Sequence, residues 1–349
     1  MELKLNKKKV VVGISGGVDS AICLKVLCAR GFDVRAVYIK MCRYSGSSDG
    51  DIRSAQKITT ALGIKLKIID AQKQFYQEVV SYYDDEIKKG NTPSPCIFCN
   101  QKVKLAILLD YADRVGAYYV ATGHYARIVK KDDLFFLKMA LDKNKDQTYS
   151  LSFLPQRYLA RLILPLGNIK KSETIKMSKD IKGLGYLSGR EQSQDFCYLG
   201  GVDQTQYCTE KLIMPAGTII DVNGKVLGRH NGLCQYTIGQ RKGIKLPGGP
   251  YFVVSKNTQS NKVVVSKDER DLYQDTVVLR PYRLVKGEIK KGIRVLSKLR
   301  SMQNLVSARL YQDSDKIVLQ FDAPQRAATP GQIAVFYDKE ICLGGGVIN

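Results

Sequence analysis

The run Val10-Val11-Val12-Gly13-Ile14-Ser15-Gly16-Gly17-Val18-Asp19-Ser20 decides how the amino-terminal half of this chain folds. Its opening valines and Ile14 have the composition of a buried strand. Beyond Ser20, the stretch Ala21-Ile22-Cys23-Leu24-Lys25-Val26-Leu27 repeats apolar positions at helical spacing. Strand, tight turn and helix start therefore follow one another directly. Two glycines let the backbone approach a polyanion closely, and the amides of a helix N-terminus point at whatever charge sits there. Ser15 and Ser20 add hydroxyl donors, and Asp19 is placed to hold a cation or to cap the helix. The stretch reads as a phosphate cradle; the plainer alternative is an ordinary strand-to-helix turn, where Gly and Ser are common anyway. It lacks the Gly-Lys-Ser/Thr ending of a Walker loop and does not fit the dinucleotide fingerprint, which disfavours an ordinary P-loop NTPase or a dinucleotide-dependent dehydrogenase.

Working outward, residues 34–39, 65–69 and 118–122 read as further strands, and 52–62, 75–88 and 103–114 as helices between them. Alternating strand and helix predict a parallel sheet covered on both faces, a doubly wound α/β domain with ligands at the carboxyl ends of its strands. Ile39 ends the second strand, where an adenine could lie. Gly123 and His124 follow the fourth strand and aim at the same crevice. Residues 134–140 read as an edge strand, 142–149 as a solvated charged loop, and 156–187 as largely helical. From about residue 217 the periodicity changes to short strands at 219–222, 251–254, 262–265, 293–296, 306–310, 316–321 and 333–337. That spacing predicts a small antiparallel unit and then a compact β-barrel. The boundaries expected are 1–205, 206–283 and 284–349.

At 349 residues the chain is too long for one ordinary core. No apolar run reaches membrane-spanning length. The basic start at residues 1–9 leads only into a short strand and does not read as a signal peptide, so a cytoplasmic protein without a membrane partner is expected. Lys and Arg number 55 against 33 Asp and Glu, a net charge of +22. Such a surplus favours a polyanionic partner, because neutralising phosphates releases counterions; a generally basic proteome is the plainer explanation. Nine cysteines in a chain of this kind are buried residues, metal ligands or reactive thiols rather than a disulfide scaffold. Cys23, Cys28, Cys42, Cys208, Cys234 and Cys342 read as packing residues.

Thr92-Pro93-Ser94-Pro95-Cys96-Ile97-Phe98-Cys99-Asn100 is the second informative stretch. Two prolines impose an extended path, after which Cys96 and Cys99 lie one helical turn apart, ahead of Lys102 and Lys104. A thiol at a helix N-terminus beside lysines is expected to have a lowered pKa. Half of a zinc site, a redox pair, and a reactive sulfur with a neighbour all remain open; a zinc ribbon would need a second Cys-x-x-Cys, which is missing.

These stretches, together with residues 121–127, 145–149, 193–198, 230–232, 236–243, 324–332 and 342–346, resemble the bacterial tRNA 2-thiouridylases nearly end to end. The loop alone is similar to that of the ATP pyrophosphatases (the PP-loop, adenine nucleotide alpha hydrolase-like group), which glutamine-fed synthetases share. The resemblance implies an enzyme that adenylates C2–O of the wobble uridine and replaces that oxygen with sulfur. ATP and Mg2+ would bind at Gly13, Ile14, Ser15, Gly16, Gly17, Val18, Asp19 and Ser20, with Ile39 and Gly123 beside the nucleotide. Asp19, Cys99 and Cys197 would be the catalytic residues, with a persulfide on Cys197 and Cys99 as the partner thiol that either liberates the sulfur by forming a disulfide or acts as nucleophile. Ser94, Pro95 and Cys96 would meet the target base, and His124, Lys145, Asp146, Gln147, Arg300, Ser301 and Gln332 would contact the tRNA. The implied partners are tRNAs with wobble uridines, such as those for Lys, Glu and Gln, and a persulfide donor protein or cysteine desulfurase. Two departures stand out: Cys96 occupies a position where the family has Asp, and Ser301-Met302 replaces its common Tyr-Arg. With Cys96, Cys99 and Cys197 together, a [4Fe-4S] cluster on three thiolates, as in other RNA thiolases, is the rival route for sulfur. Two further alternatives are another adenylating synthetase and a non-catalytic RNA-binding protein.

Overall fold

The computed structural model describes residues 5–189, 196–285, 289, 292–314 and 316–349. Ser193, Gln194 and Asp195 of the motif around Cys197 lie outside the described residues. The chain divides into two units, one of Met1–Val79, Cys96–Gly200 and Tyr337–Gly344, the other of Val80–Pro95, Gly201–Phe336 and Gly345–Asn349.

In the first unit, strands β1 (Asn6–Gly13), β2 (Asp33–Lys40), β3 (Leu66–Asp70) and β4 (Ala117–Ala121) run parallel. A hairpin follows, β5 (Ala126–Lys131) and β6 (Leu134–Met139), and then the two-residue strand β7 (Leu162–Ile163). The parallel sheet has the order β3-β2-β1-β4-β7. Val10, Val11 and Val12 are fully buried because β1 is the middle strand and is covered on both faces. Helix Val18–Ala29 packs Ala21, Ile22 and Leu24 into the core that Val10, Val12, Tyr38 and Ala121 line.

Several expectations need correction. The edge strand of the sheet is β7; residues 134–140 instead pair antiparallel with β5, Ile128 opposite Leu137. The stretch 156–187 is not one helical region. It holds the short helix Gln156–Leu159, β7, a turn at Pro165–Asn168, the helix Lys171–Lys179 and a turn at Gly185–Gly189. Pro165 and the apolar triplet Leu162-Ile163-Leu164 pull the backbone into extended conformation there. The loop 142–149 is not simply solvated. Asp146 accepts from the amide of Ala140 and from Thr148 Oγ1, and Thr148 Oγ1 lies 3.0 Å from Tyr337 Oη.

The second unit contains a four-stranded sheet of β8 (Gly217–Asp221), β9 (Val226–His230), β10 (Phe252–Asn257) and β11 (Lys262–Ser266), in the order β10-β11-β8-β9. It is mixed rather than antiparallel, since β11 and β8 run parallel. Ile219, Val253, Val263 and Val265 form its core with Leu233 and Ile244. The remaining strands are β12 (Tyr273–Leu284), β13 (Ile293–Lys298), β14 (Val306–Asp313), β15 (Lys316–Arg326), β16 (Ile333–Asp338) and β17 (Ile341–Ile348). They follow the order β12-β15-β14-β13-β16-β17, and pairing of β12 with β17 closes them into the expected barrel. No helix among the described residues is long and apolar enough to cross a membrane.

Candidate active site

The loop after β1 is built as its sequence demands. Gly16 adopts φ +82°, and a Cβ there would stand 2.5 Å from the carbonyl oxygen of Asp51, so only glycine fits. Ser54 Oγ donates to the Gly16 carbonyl at 2.7 Å and anchors the turn from the helix Asp49–Ala61. Ser20 Oγ accepts from the Ser15 amide and donates to the Gly17 carbonyl, which closes the loop on itself. Gly17 is the residue that caps the helix, and Asp19 makes no capping bond. Asp19 Oδ1 instead meets Lys171 Nζ at 2.5 Å and Tyr125 Oη at 2.9 Å. Gly123, at the end of β4, presses on this turn from the other side: a Cβ would lie 2.9 Å from the Asp19 carbonyl carbon and 3.0 Å from the Ser20 nitrogen. The end of β4 and the start of the helix Val18–Ala29 are therefore in direct backbone contact.

Two of the thiols, Cys99 and Cys197, lie near the carboxyl end of β2. Pro95–Phe98 is an α-helical turn, Cys99–Lys104 winds as a π-helix, and Leu105–Arg114 continues as α-helix. In a π-helical turn the hydrogen bonds join i to i+5, and such turns recur at functional sites. The winding brings Lys104 onto the face of Cys99, while Lys102 turns outward to an ion pair with Glu78 at 2.8 Å. Cys99 is 3% exposed, and its Sγ sits 4.0 Å from Met41 Sδ. Met41 in turn lines a small pocket of about 30 Å³ with Tyr38, Ile39, Cys42, Arg43, Ser48 and Cys197. Cys197 reaches it from the turn Cys197–Leu199, which the Tyr44 amide ties down by donating to the Tyr198 carbonyl at 2.7 Å. Cys197, Ile39 and Met41 thus line one pocket, and Cys99 touches Met41.

Electrostatics correct one expectation. The thiol of Cys99 is raised in pKa, not lowered; burial is the largest cause, and the Lys104 ammonium only partly offsets it. Cys99 is pushed up to about 12, with further raising by the charges of Cys197 and Cys96. Burial lowers Lys104, yet its interactions with Cys99, Cys197 and Cys96 outweigh it and leave its pKa raised. At pH 8 a thiol at about 12 carries roughly a thousand-fold less thiolate than one at the ordinary value of 9.0. Cys96 is exposed. Brief alkylation with iodoacetamide at pH 8, mapped by peptide mass, is expected to mark exposed Cys28 and Cys96 at least ten-fold faster than Cys99.

His124 Nδ1 lies 2.8 Å from Thr122 Oγ1, and its pKa falls to about 3 through burial first and the Lys104 charge second. The ring is neutral at neutral pH. A folded-state pKa below the unfolded value of 6.5 means that the unfolded chain takes up a proton first. Stability from this group is thus complete above pH 6.5 and is lost as pH falls from 6.5 towards 3. His124→Asn is expected to flatten the acid limb of a melting-temperature profile across that window.

The other anticipated residues are placed as follows. Gln147 Oε1 accepts from the Tyr125 amide and Asp146 braces the loop, so both position the β4 end; half-buried Lys145 ends the turn Lys143–Lys145. Ser94 and Pro95 fall in the second unit, and so do Arg300, Ser301 and Gln332. There Arg300 donates to Gln332 Oε1 at 3.2 Å and to the Ala327 carbonyl at 3.0 Å, and Ser301 is exposed. Among the described residues no group of three or more His, Cys, Asp or Glu side chains is placed to hold a metal ion. Cys96, Cys99 and Cys197 therefore do not form such a group as they stand. Mg2+ fits differently, since it needs few protein oxygens beside a polyphosphate, and the Asp19 carboxylate, 31% exposed, offers one at the loop. Lys171 and Met41 are residues that sequence reading passed over. The only signal for Lys171 was the pair Lys170-Lys171 at a helix start, where acidic residues are favoured.

Comparison with known proteins matches all three parts of the chain. Residues 8–201 match a family model described as a tRNA methyl transferase HUP domain, 205–267 a tRNA methyl transferase PRC-barrel domain, and 274–348 an aminomethyltransferase beta-barrel domain. The tRNA-specific 2-thiouridylase MnmA of Treponema denticola is 37% identical over 360 residues, covering 98% of this chain and 98% of the relative. The protein of the same name from Acetivibrio thermocellus is 35% identical over 363 residues, with 99% and 100% covered. Among solved structures, the U34-tRNA thiolase NcsA from Methanococcus maripaludis with its [4Fe-4S] cluster aligns at 21% identity and a TM-score of 0.36, over 56% of this chain and 64% of that one. NMN synthetase from Francisella tularensis aligns at 19% and 0.36, over 54% and 67%.

Proposed function

The chain belongs to the tRNA-specific 2-thiouridylase family, and from that premise we propose that it is an ATP-dependent sulfurtransferase acting on C2 of the wobble uridine of tRNA. The uracil C2 oxygen attacks the α-phosphorus of ATP bound at residues 13–20, and pyrophosphate leaves. AMP is then the leaving group at C2. A persulfide on Cys197 is the sulfur source: its S–S bond is broken by Cys99, a Cys99–Cys197 disulfide forms, and the released hydrosulfide adds at C2 as AMP departs. A cellular thiol reduces the disulfide afterwards. Mg2+, held by Asp19, neutralises phosphate charge when bound. Gly16 and Gly123 keep the loop open to the triphosphate, Ile39 lies against adenine, and neutral His124 faces the crevice without adding charge. Burial raises the pKa of Cys99, so it rests as a thiol.

The observation that carries this reading is the shared pocket: Cys197 lines the same pocket as Ile39, and Cys99 touches Met41 in it. The persulfide route is preferred to the cluster because no group of three or more His, Cys, Asp or Glu side chains among the described residues is placed to hold a metal ion. In this reading residues 1–205 are catalytic, 206–283 a small central domain, and 284–349 the barrel that grips tRNA. Ser94, Pro95 and Cys96 meet the base, and Lys145, Asp146, Gln147, Arg300, Ser301 and Gln332 meet the tRNA. The +22 charge supplies general attraction for the polyanion. The donor is a persulfide-bearing protein or cysteine desulfurase, and the setting is cytoplasmic. The test incubates the protein with ATP, Mg2+, a persulfide donor and tRNA bearing an unmodified wobble uridine. Pyrophosphate and 2-thiouridine should appear together; pyrophosphate without thiolated nucleoside would favour another adenylating enzyme, and neither product would favour a non-catalytic binder.

A further inference from the structure

The loop that follows β2 runs against the turn that carries Cys197. The Tyr44 amide donates to the Tyr198 carbonyl at 2.7 Å, and the two rings stand 6.3 Å apart. Just beyond, Gly200 adopts φ +64°, and a Cβ there would run into the Ser45 carbonyl oxygen, so the two backbones are as close as glycine permits. Tyr44 meets Tyr198 and Ser45 meets Gly200, so the two segments run in the same direction. Followed back from those contacts, one segment reaches Cys42 and the other Cys197. Both cysteines are half-buried, and both line the pocket of about 30 Å³, which has room for about two waters. Burial is the first cause that raises the Cys42 pKa, and the charge of Cys197 adds to the rise. Cys99 is 3% exposed and touches Met41 without lining the pocket itself. Among the described residues, the thiol that shares this space with Cys197 is therefore Cys42, which the sequence had placed with the packing residues.

We propose that Cys42 is a redox-modification site, the thiol that captures Cys197 as a Cys42–Cys197 disulfide when a hydroperoxide oxidises the sulfur carrier before it is loaded. The inference rests on the reading of Cys197 as the sulfur carrier and deepens it by adding control of the same residue. The Cys197 thiolate attacks one peroxide oxygen and the O–O bond breaks. The sulfur, oxidised by two electrons, becomes a sulfenic acid, and the other oxygen leaves with the proton that the thiol gave up. The Cys42 sulfur then attacks the Cys197 sulfur, the S–O bond breaks, and the Cys42 proton leaves with that oxygen as water. Two thiols and one hydroperoxide thus give one disulfide, one water and one alcohol, or a second water when the oxidant is hydrogen peroxide. Two molecules of a cellular thiol reopen the bond by exchange and are themselves joined as a disulfide. Without Cys42 the sulfenic acid is open to further oxidation to sulfinic and sulfonic acids, which thiols do not reduce.

The test treats full-length protein, free of persulfide and tRNA, with a small excess of hydrogen peroxide, blocks the remaining thiols with iodoacetamide and maps cysteine pairs by peptide mass. A parallel sample receives dithiothreitol instead, and its 2-thiouridine formation is measured against the same protein's untreated rate. In wild type the linked pair should be Cys42–Cys197, and activity should return to within about two-fold of the untreated rate. In Cys42→Ser the Cys197 peptide should carry sulfinic or sulfonic acid, and the recovered fraction should be about ten-fold or more below that of wild type. The wild-type map decides the pairing whether or not the variant folds. A Cys99–Cys197 pair in place of Cys42–Cys197, or recovery of Cys42→Ser equal to that of wild type, would overturn the inference and leave Cys197 standing as the sulfur carrier. Untreated wild type that makes no 2-thiouridine would remove the sulfur-carrier reading and the inference with it.

Discussion

Cys197→Ser should abolish 2-thiouridine formation, by about a thousand-fold or more, while tRNA-dependent pyrophosphate release stays within about three-fold of wild type. The two halves of the result follow from where the residue stands. Its sulfur would carry the transferred atom, and a hydroxyl cannot form a persulfide, so the second half-reaction loses its substrate. Adenylation depends on the loop after β1, whose bonds run among Ser15, Gly16, Gly17, Ser20 and Ser54 and do not involve Cys197. The turn Cys197–Leu199 keeps its tie through the Tyr44 and Tyr198 backbones, which serine does not disturb. Cys99→Ser should also stop turnover yet allow Cys197 to be charged with persulfide, visible as added mass on that peptide. If Cys197→Ser loses pyrophosphate release in the same proportion as thiolation, the separation of the two steps is wrong.

Gly123→Ala should have the opposite signature, with pyrophosphate release and thiolation falling together by about a hundred-fold. An added Cβ would sit 2.9 Å from the Asp19 carbonyl carbon, 3.0 Å from its oxygen and 3.0 Å from the Ser20 nitrogen. All three are backbone atoms of the phosphate turn and cannot swing aside as a side chain could. Either β4 or the turn must shift, and a displacement approaching 1 Å at a site that positions reacting groups costs about that factor. Gly50→Ala is the matched control: nothing lies within 4 Å of its Cβ, and alanine in the helix Asp49–Ala61 should stabilise by about 0.4–1 kcal/mol without changing either rate. Steady-state rates of pyrophosphate and 2-thiouridine production compare the two variants. Unchanged rates for Gly123→Ala would mean that the turn is not where the nucleotide is held.

Much of this was legible from the chain itself, and the exceptions have physical reasons. Val10 to Ser20 determined strand, turn and helix because apolar period, glycine freedom and helix start all agree there. Residues 156–187 misled because many lysines give helical propensity, while Leu162-Ile163 is too short to announce itself as a strand and gains its identity only by pairing beside β4. β9 and β17 escaped notice for a related reason: Gly228, Gly344, Gly345 and Gly346 dilute the β signal, and pairing with neighbouring strands supplies what propensity lacks. At the site, Asp19, Cys99 and Cys197 were visible as types in motifs, but their electrostatics were not. A cysteine before two lysines predicts a low pKa only if the thiol meets solvent and the lysines; here burial acts on Cys99 and Lys102 turns to Glu78, leaving Lys104 alone to oppose it. Lys171 was hidden altogether, since its meaning lies in an ion pair across 152 residues of sequence.

The account stands on adenylation and sulfur transfer sharing one crevice of the first unit, and a single-turnover experiment addresses that most directly. Protein carrying a ³⁵S-labelled persulfide on Cys197 is mixed with tRNA, with and without ATP, and the label, AMP and cysteine pairing are followed together. The account predicts that label reaches the wobble uridine only with ATP, that one AMP appears for each labelled nucleoside, and that a Cys99–Cys197 disulfide remains. Label entering tRNA without ATP, or AMP released with the label still on Cys197 and no disulfide formed, would contradict it.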